Sequence, residues 1–170
     1  MAILRRYGDK TPQVGDGTFV AENAVLVGDV IIGARSSIWF GAVLRGDVFH
    51  IRVGDETSIQ DNAVIHVTHG RHATVVGNRV TVGHLVNLHG CTIRDRCIIG
   101  MGSIVLDAAE VGERSIIGAG SLVTAGARIP PGTLALGSPA RPKRDLTADE
   151  LEWLDVSAAH YVELARAYLR

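Results

Sequence analysis

Residues 93–129 read IRDRCIIGMGSIVLDAAEVGERSIIGAGSLVTAGARI, and in this stretch an aliphatic residue recurs at every sixth position. A period of six is too long for one helical turn and does not fit a heptad, whereas it suits a short strand followed by a tight turn. Valine and isoleucine at the repeated positions favour strands. The stretch predicts a solenoid of stacked strands. Its repeated positions are Ile93, Ile99, Val105, Val111, Ile117, Val123 and Ile129.

The same six-residue period extends toward the N-terminus in three runs, which begin at Val14, Val53 and Val76. The stretch VTHGRHATV, between the second and third runs, breaks the aliphatic pattern and predicts a protruding loop around residues 67–75. An ordinary β-sandwich would require irregular strand spacing and hairpin turns such as Asn-Gly, which this sequence lacks. We therefore predict a mainly β solenoid over residues 1–145.

The last part of the chain changes from this repeat to a helical pattern. Four prolines between residues 130 and 142 mark the end of the solenoid, because proline does not fit a central strand. Thr147 and Glu150 then form the sequence pattern of a capping box, and apolar residues follow at helical spacing. Residues 146–170 are therefore predicted to form an amphipathic helix that packs on the outside of a solenoid.

Composition and charge narrow the functions open to this 170-residue chain. Its net charge of −1 and its lack of a basic run predict no attraction to nucleic acid or to an acidic membrane. No apolar run approaches the roughly 18 residues of a membrane span, and the N-terminal MAILRRYGDK lacks the apolar region of a secretory signal. Two cysteines are too few for a disulfide framework. These features predict a single-domain cytoplasmic protein.

The repeat resembles that of the hexapeptide-repeat proteins, whose chains coil as a left-handed parallel β-helix with three faces and about 18 residues per coil. Periodicity alone does not give this handedness, since parallel crossovers are right-handed in about 98% of other folds. The left-handed coil is therefore what the resemblance implies. The expected fold class is mainly β, a left-handed parallel β-helix with one C-terminal α-helix.

Two histidines are placed by this repeat where they could share one metal ion. Neighbouring strand residues point to opposite faces, so His66 and His89 point outward where Ile65 and Leu88 point inward. The two histidines are 23 residues apart, which corresponds to one coil of about 18 residues plus the extra length of the protruding loop. We therefore expect them to stack on one face, with their backbones about 4.8 Å apart.

A third histidine, His84, lies near a corner of the adjacent face and is not expected to reach the same ion within its own subunit. A neighbouring subunit could present it to that ion, which predicts a homotrimer with three interface sites. Three neutral imidazoles with an open fourth position suit a catalytic Zn²⁺, although Fe²⁺ and Co²⁺ also accept such ligands. The alternative is that the three histidines are ordinary polar surface residues.

Three motifs make the resemblance to one family specific. They are RGD at residues 45–47, IQDNAVIH at residues 59–66 and VGHLVNLHG at residues 82–90. Together they resemble the corresponding motifs of the γ-class carbonic anhydrases. The likeness continues through GSPAR into the terminal helix, so it covers nearly the whole chain.

The resemblance implies a role for each of eight residues. By this resemblance, the metal ligands would be His66, His84 and His89. His84 would be donated across a trimer interface. Gln60 matches the residue that hydrogen-bonds the metal-bound hydroxide. Charged residues that match a cluster beside the site, which also joins subunits, are Arg45, Asp47 and Asp61. Tyr161 matches a helix tyrosine near the site, although helix packing would explain it equally well.

The activity that the resemblance implies is the reversible hydration of CO2 to bicarbonate, the lyase reaction of a carbonate dehydratase. One departure from the family pattern is the loop, which lacks the proton-shuttling glutamate of well-studied members, so that His69 or His72 could take this role. Two other functions stay open: an acyl-CoA thioesterase with the same metal site, and a non-catalytic metal-bound trimer for binding or assembly. A hexapeptide acyltransferase needs one catalytic histidine and no metal triad.

Overall fold

A computed structural model describes residues 2–169, so the predicted boundaries at Met1 and Arg170 lie outside the described residues. Numbered in chain order, its elements are β1 Ile3–Arg5, β2 Gln13–Val14, β3 Phe19–Val20, β4 Val25–Ile32, β5 Ser37–Ile38, β6 Val43–Val53, β7 Ser58–Ile59, β8 Val64–His66, β9 Thr74–Val76, β10 Thr81–Val82, β11 Asn87–His89, β12 Thr92–Ile93, β13 Ile98–Ile99, β14 Ile104–Val105, β15 Glu110–Val111, β16 Ile116–Ile117, β17 Leu122–Val123, β18 Arg128–Ile129, β19 Thr133–Gly137, β20 Ala140–Asp145 and α1 Ala148–Tyr168.

The strands stack in parallel, and the aliphatic repeat sets their register. On one face β3, β5, β7, β10, β13, β16 and β19 follow one another in a single sheet, which the antiparallel β20 closes. The remaining strands form a second sheet over the other two faces, and the long strands β4 and β6 run through the corner between them. The predicted mainly β parallel solenoid is confirmed, and it has about seven coils.

The core of the solenoid consists of aliphatic columns, one residue from each coil. One column contains Ile38, Ile59, Val82, Ile99 and Ile117, and each of these side chains is fully buried. Successive members are paired by the strand register, as the six-residue period predicts. Burying one such side chain contributes about 1.5–3 kcal/mol relative to leaving it exposed. Each coil is therefore held mainly by the coils above and below it.

Helix α1 lies against the face formed by β3, β5 and β7, which belong to its own chain. Its capping box is formed as predicted, with Thr147 accepting from the Glu150 backbone and Glu150 accepting from the Thr147 backbone. Deeper in the contact, the Thr81 and Ser157 hydroxyl oxygens are 2.9 Å apart and buried. Trp39 packs against Tyr161 and Tyr168 of the helix, with ring centroids 6.2 and 5.3 Å away. This packing fixes one side of the candidate site described below.

Within residues 2–169, no helix has the length and apolar character needed to span a membrane.

The capping box makes the stability of helix α1 depend on pH in the acid range. The side chain of Arg144 and the backbone N–H of Thr147 both bond the Glu150 carboxylate, and they lower its pKa from 4.5 to about 2. A carboxyl whose pKa is lower in the folded state stabilises that state above its unfolded pKa, and this contribution is lost as pH falls. The contribution of Glu150 should therefore disappear between about pH 4.5 and pH 2.

We expect Glu150→Gln to lower the melting temperature at pH 7 and to have no effect near pH 2. Thermal unfolding followed by circular dichroism at both pH values measures this difference. Glu152→Gln is the matched control, since Glu152 is an exposed carboxylate of the same helix. An equal loss for Glu150→Gln at pH 7 and pH 2 would contradict the assignment.

Candidate metal centre

The first part of the candidate site is a pair of histidines on adjacent coils. His66 ends β8 and His89 ends β11, and the strand register places them directly opposite one another. His66 Nδ1 lies 3.2 Å from His89 Nε2. The predicted stacking is therefore observed, and it follows from the extra loop residues that bring two positions 23 residues apart into one register.

A carboxylate anchors the other ring nitrogen of each histidine. His66 Nε2 lies 3.1 Å from Asp47 Oδ1, and His89 Nδ1 lies 2.7 Å from Asp107 Oδ1. Arg45 donates to the second oxygen of Asp47 at 2.6 Å. Burial alone would raise the pKa of Asp47, but hydrogen bonds from Arg45 and His66 outweigh it and hold this pKa below its usual value. The carboxylate beside His66 therefore stays ionised at neutral pH.

We call this group of five residues the paired half-site: Arg45, Asp47, His66, His89 and Asp107. It lies along one edge of the solenoid and extends over four successive coils.

A second group lies at a different corner, under helix α1. His84 sits in the turn between β10 and β11, and its Nδ1 is 2.9 Å from Asp61 Oδ2. A cavity of about 410 Å³ beside it is lined by Gln60 and Tyr161, and a second cavity of about 280 Å³ shares the same three residues. Burial raises the pKa of Tyr161, with Asp61 adding to the effect and a hydrogen bond with Gln60 opposing it. The Tyr161 hydroxyl therefore stays protonated at neutral pH.

We call this second group the single half-site: Gln60, Asp61, His84 and Tyr161. The structure thus divides the eight residues singled out from the sequence between two places on one chain. Within one chain, Asp61 contacts His84, whereas Arg45 contacts Asp47. Gln60 points out of the coil as predicted, yet only 4% of it is exposed because helix α1 covers it.

The donors of the paired half-site fit a zinc-type ion, but one chain does not complete the set. Two nitrogens that bind one tetrahedral ion at about 2.0–2.1 Å are about 3.3 Å apart, which matches the 3.2 Å between His66 and His89. Over residues 2–169 of a single chain, no three His, Cys, Asp or Glu side chains come together as a metal site.

The two cysteines do not supply the missing ligand. Cys91 and Cys97 are both buried as free thiols in the solenoid core. Burial raises the pKa of each thiol to about 12. Among residues 2–169 of one chain, neither thiol joins the two histidines in a three-residue metal site.

Comparison with known proteins identifies the family of this chain. Residues 11–46 and 90–125 match the family profile "Bacterial transferase hexapeptide (six repeats)". A carbonic anhydrase of Geobacillus kaustophilus is 46% identical to this chain, over 98% of this chain and 91% of that protein. Gamma carbonic anhydrase 1, mitochondrial, of Arabidopsis thaliana is also 46% identical, over 97% of this chain. The chain belongs to the γ-class carbonic anhydrase family.

Members of this family differ in length, and this chain spans 62% of the Arabidopsis relative. Among solved structures, a hexapeptide transferase family protein from Anaplasma phagocytophilum superposes with a TM-score of 0.94. It is 45% identical, and the match covers 98% of this chain and 98% of that one. The fold therefore extends over the whole solenoid and is shared with proteins named as transferases.

One residue of the paired half-site, Asp107, was not predicted from the γ-class motifs. It comes 18 residues after His89, which is one coil further along the solenoid. Adding one coil length to the residue number of each predicted ligand would have identified Asp107. Its second oxygen accepts from Thr68 Oγ1 at 2.7 Å, and Thr68 belongs to the protruding loop. The loop itself closes through a backbone pairing of Thr68 with His72, and His69 at its tip is exposed.

Proposed function

We propose that this protein is a metal-dependent enzyme that interconverts CO2 and bicarbonate at three sites between the subunits of a left-handed, homotrimeric solenoid. The observation that carries the proposal is the division of the site on one chain. Two imidazoles with facing nitrogens lie on one edge, and the third lies with Gln60 at a different corner. Relatives named as carbonic anhydrases support the same activity.

The metal would be held by His66 and His89 of one subunit and by His84 of the next. A set of three neutral imidazoles suits Zn²⁺, and Fe²⁺ and Co²⁺ accept it as well. The chemistry that such an ion supplies when bound is a lowered pKa for a coordinated water, to about 7.

The surface around His84 supports subunit contact at this corner. Exposed apolar side chains surround the turn and continue along the strands beside it: Val64, Leu85, Met101 and Ile104. Leu85 is 65% exposed in a backbone conformation of positive φ, so the turn presents it outward. Large exposed apolar side chains grouped near one corner suit an interaction site. A second copy bringing its paired half-site to this corner would cover the patch and complete the ligand set.

The single half-site would hold and orient the reactants. The buried amide of Gln60 lines both cavities beside His84, where it can accept a hydrogen bond from a reacting water and donate one to a substrate oxygen. The neutral Tyr161 hydroxyl restrains Gln60 through their hydrogen bond. The Asp61 carboxylate lies beside His84 Nδ1, so Nε2 would be the nitrogen left for the metal. Arg45 balances the charge of Asp47 beside His66.

The proton released by hydration must leave without the glutamate of other family members. The loop VTHGRHATV contains no carboxylate, and its two histidines are an exposed His69 and a partly exposed His72. Imidazoles at these positions could pass the proton to solvent or buffer, since histidine titrates near neutral pH. We therefore expect kcat to depend on buffer concentration more strongly than kcat/KM for CO2 does.

Stopped-flow measurement of CO2 hydration tests the proposed function. Protein purified anaerobically and loaded with Zn²⁺ or Fe²⁺ should hydrate CO2, lose this activity with a chelator, and regain it when the metal is returned. His66→Ala should lack the activity, because it removes one of the three ligands. The solenoid should stay folded in this variant, since His66 lies outside the aliphatic core.

Other outcomes of the same experiment would assign a different function. Full metal occupancy without CO2 hydration would contradict the proposal. Release of free thiol from an acyl-CoA would then indicate a thioesterase. Transfer of the acyl group to an added acceptor would indicate the reaction of the transferases that share the fold. A metal-loaded trimer with none of these activities would indicate a binding or assembly role.

A further inference from the structure

Asp107 joins three parts of the molecule through its two carboxylate oxygens. Oδ1 lies 2.7 Å from Nδ1 of His89, on the preceding coil. Oδ2 accepts from the Thr68 hydroxyl at 2.7 Å, and Thr68 lies in the loop between β8 and β9. None of the three γ-class motifs quoted above contains Asp107 or Thr68.

The first contact decides which nitrogen of His89 carries the hydrogen. A carboxylate can only accept, so Nδ1 of His89 is the donor and Nε2 keeps its lone pair. The same reasoning applies to His66, whose Nε2 donates to Asp47 and whose Nδ1 keeps its lone pair. Two lone pairs therefore face each other across 3.2 Å. That arrangement repels unless a metal ion or a shared proton lies between the two rings.

The second contact ties the loop to the same carboxylate. Thr68 is held to His72 by backbone hydrogen bonds, so the loop is closed where it meets Asp107. The chain also leaves room for the carboxylate at Gly90, where φ is +58° and an added Cβ would lie 2.3 Å from Asp107 Oδ1. A side chain at residue 90 would therefore displace Asp107. The backbone at Gly90, the loop at Thr68 and the strand that ends at His89 therefore all border the Asp107 carboxylate.

We propose that Asp107 is a positioning residue of the metal site, which sets the tautomer and ring orientation of His89 and couples them to the loop through Thr68. This inference rests on the proposed function, because it concerns the same metal. Carboxylates that accept from the second nitrogen of a metal-binding histidine raise its basicity and fix its ring. The loop thereby gains an influence on the site without contributing a ligand.

Metal affinity, measured by competition with a chromophoric chelator, tests the role of Asp107. Asp107→Ala should weaken Zn²⁺ binding roughly 10- to 100-fold, the usual effect of losing such a partner. Asp107→Asn should recover part of this loss, since its amide oxygen can still accept from Nδ1. Thr68→Val should weaken binding less than Asp107→Ala, because it leaves the contact with His89 intact. The visible spectrum of the Co²⁺-loaded protein should shift in the same order.

Asp95→Ala is the matched control for Asp107→Ala. Asp95 is also a coil carboxylate, and it accepts from the backbone N–H of Asn78 at 2.9 Å, away from the histidines. Its removal should affect thermal stability but leave Zn²⁺ affinity and the Co²⁺ spectrum unchanged. Wild-type affinity in Asp107→Ala would overturn this inference alone. A wild-type protein that takes up no metal would overturn the proposed metal site and this inference together.

Discussion

Mixed trimers of His66→Ala and His84→Ala chains are expected to regain the metal binding and CO2 hydration that neither variant has alone. Each variant should lose roughly 1,000-fold in activity, because the metal contributes several kcal/mol of transition-state stabilisation. His66→Ala destroys the paired half-site but leaves Gln60, Asp61 and His84 intact. His84→Ala destroys the single half-site and leaves the paired half-site intact. An interface that takes one intact half from each chain is a complete site.

The size of the recovery follows from the symmetry of a cyclic trimer. Random assembly of equal amounts of the two chains leaves about three quarters of the trimers mixed, and each mixed trimer contains one intact interface out of three. Co-expressed variants should therefore bind ~25% of the wild-type amount of metal and recover a similar share of activity. Tandem affinity purification through two different tags isolates the mixed trimers for metal analysis and stopped-flow assay.

The control for this experiment is a mixture of two variants that damage the same half-site. His66→Ala with His89→Ala places both lesions on the paired half-site, so no arrangement of chains restores it. No recovery is expected in that mixture. Recovery in neither mixture, although trimers form, would contradict a site shared between subunits. Full metal occupancy in His84→Ala alone would contradict it as well.

Trp39→Ala is expected to cause a large loss of stability. Only 5% of Trp39 is exposed, and its ring packs against Phe19, Tyr161 and Tyr168. Its indole N–H also lies 3.0 and 2.9 Å from two serine hydroxyl oxygens. Removing a buried aromatic side chain usually costs about 3–5 kcal/mol. Chemical denaturation monitored by circular dichroism measures the change in the free energy of unfolding.

Because Trp39 contacts the helix that covers Gln60, the same substitution should also affect the candidate site. Loosening of α1 would expose Gln60 and release Tyr161 from its hydrogen bond. We expect CO2 hydration to fall while metal affinity is kept, since none of the three predicted ligands is on the helix. Trp153→Ala is the control, because 57% of Trp153 is exposed and such surface changes usually stay within about 0.5 kcal/mol. A comparable loss of stability in both variants would contradict the role assigned to Trp39.

The solenoid was predictable because strand alternation and the six-residue period are both local properties of the sequence. Alternation along a strand places Ile65 inside and His66 outside, and the six-residue period then repeats this choice on every coil. The pairing of His66 with His89 followed from the same rule once the loop was recognised as an insertion. Handedness is different, since it depends on how one strand connects to the next, and a period does not contain that information.

The contacts of the single half-site were not predictable, because they depend on packing between distant parts of the chain. Gln60 is buried by a helix that follows it by about a hundred residues, so alternation within a strand does not reveal its burial. Asp61 and His84 meet at a corner where Leu85 has a φ of +60°. Side-chain direction in such a turn does not follow the strand rule. Asp107, by contrast, could have been predicted by adding one coil length to the residue number of His89.

Asp47, His66, His89 and Asp107 lie on four successive coils, and each contacts the next through its side chain. A solenoid frays from its ends, because a terminal coil has only one neighbour to hold it. A metal ion between His66 and His89 would complete this chain of contacts across the middle of the stack and brace those coils against separating. Amide hydrogens there should exchange more slowly than those of the first and last coils, and metal should widen the difference. The candidate metal site therefore lies in the coils that we expect thermal fluctuation to open last.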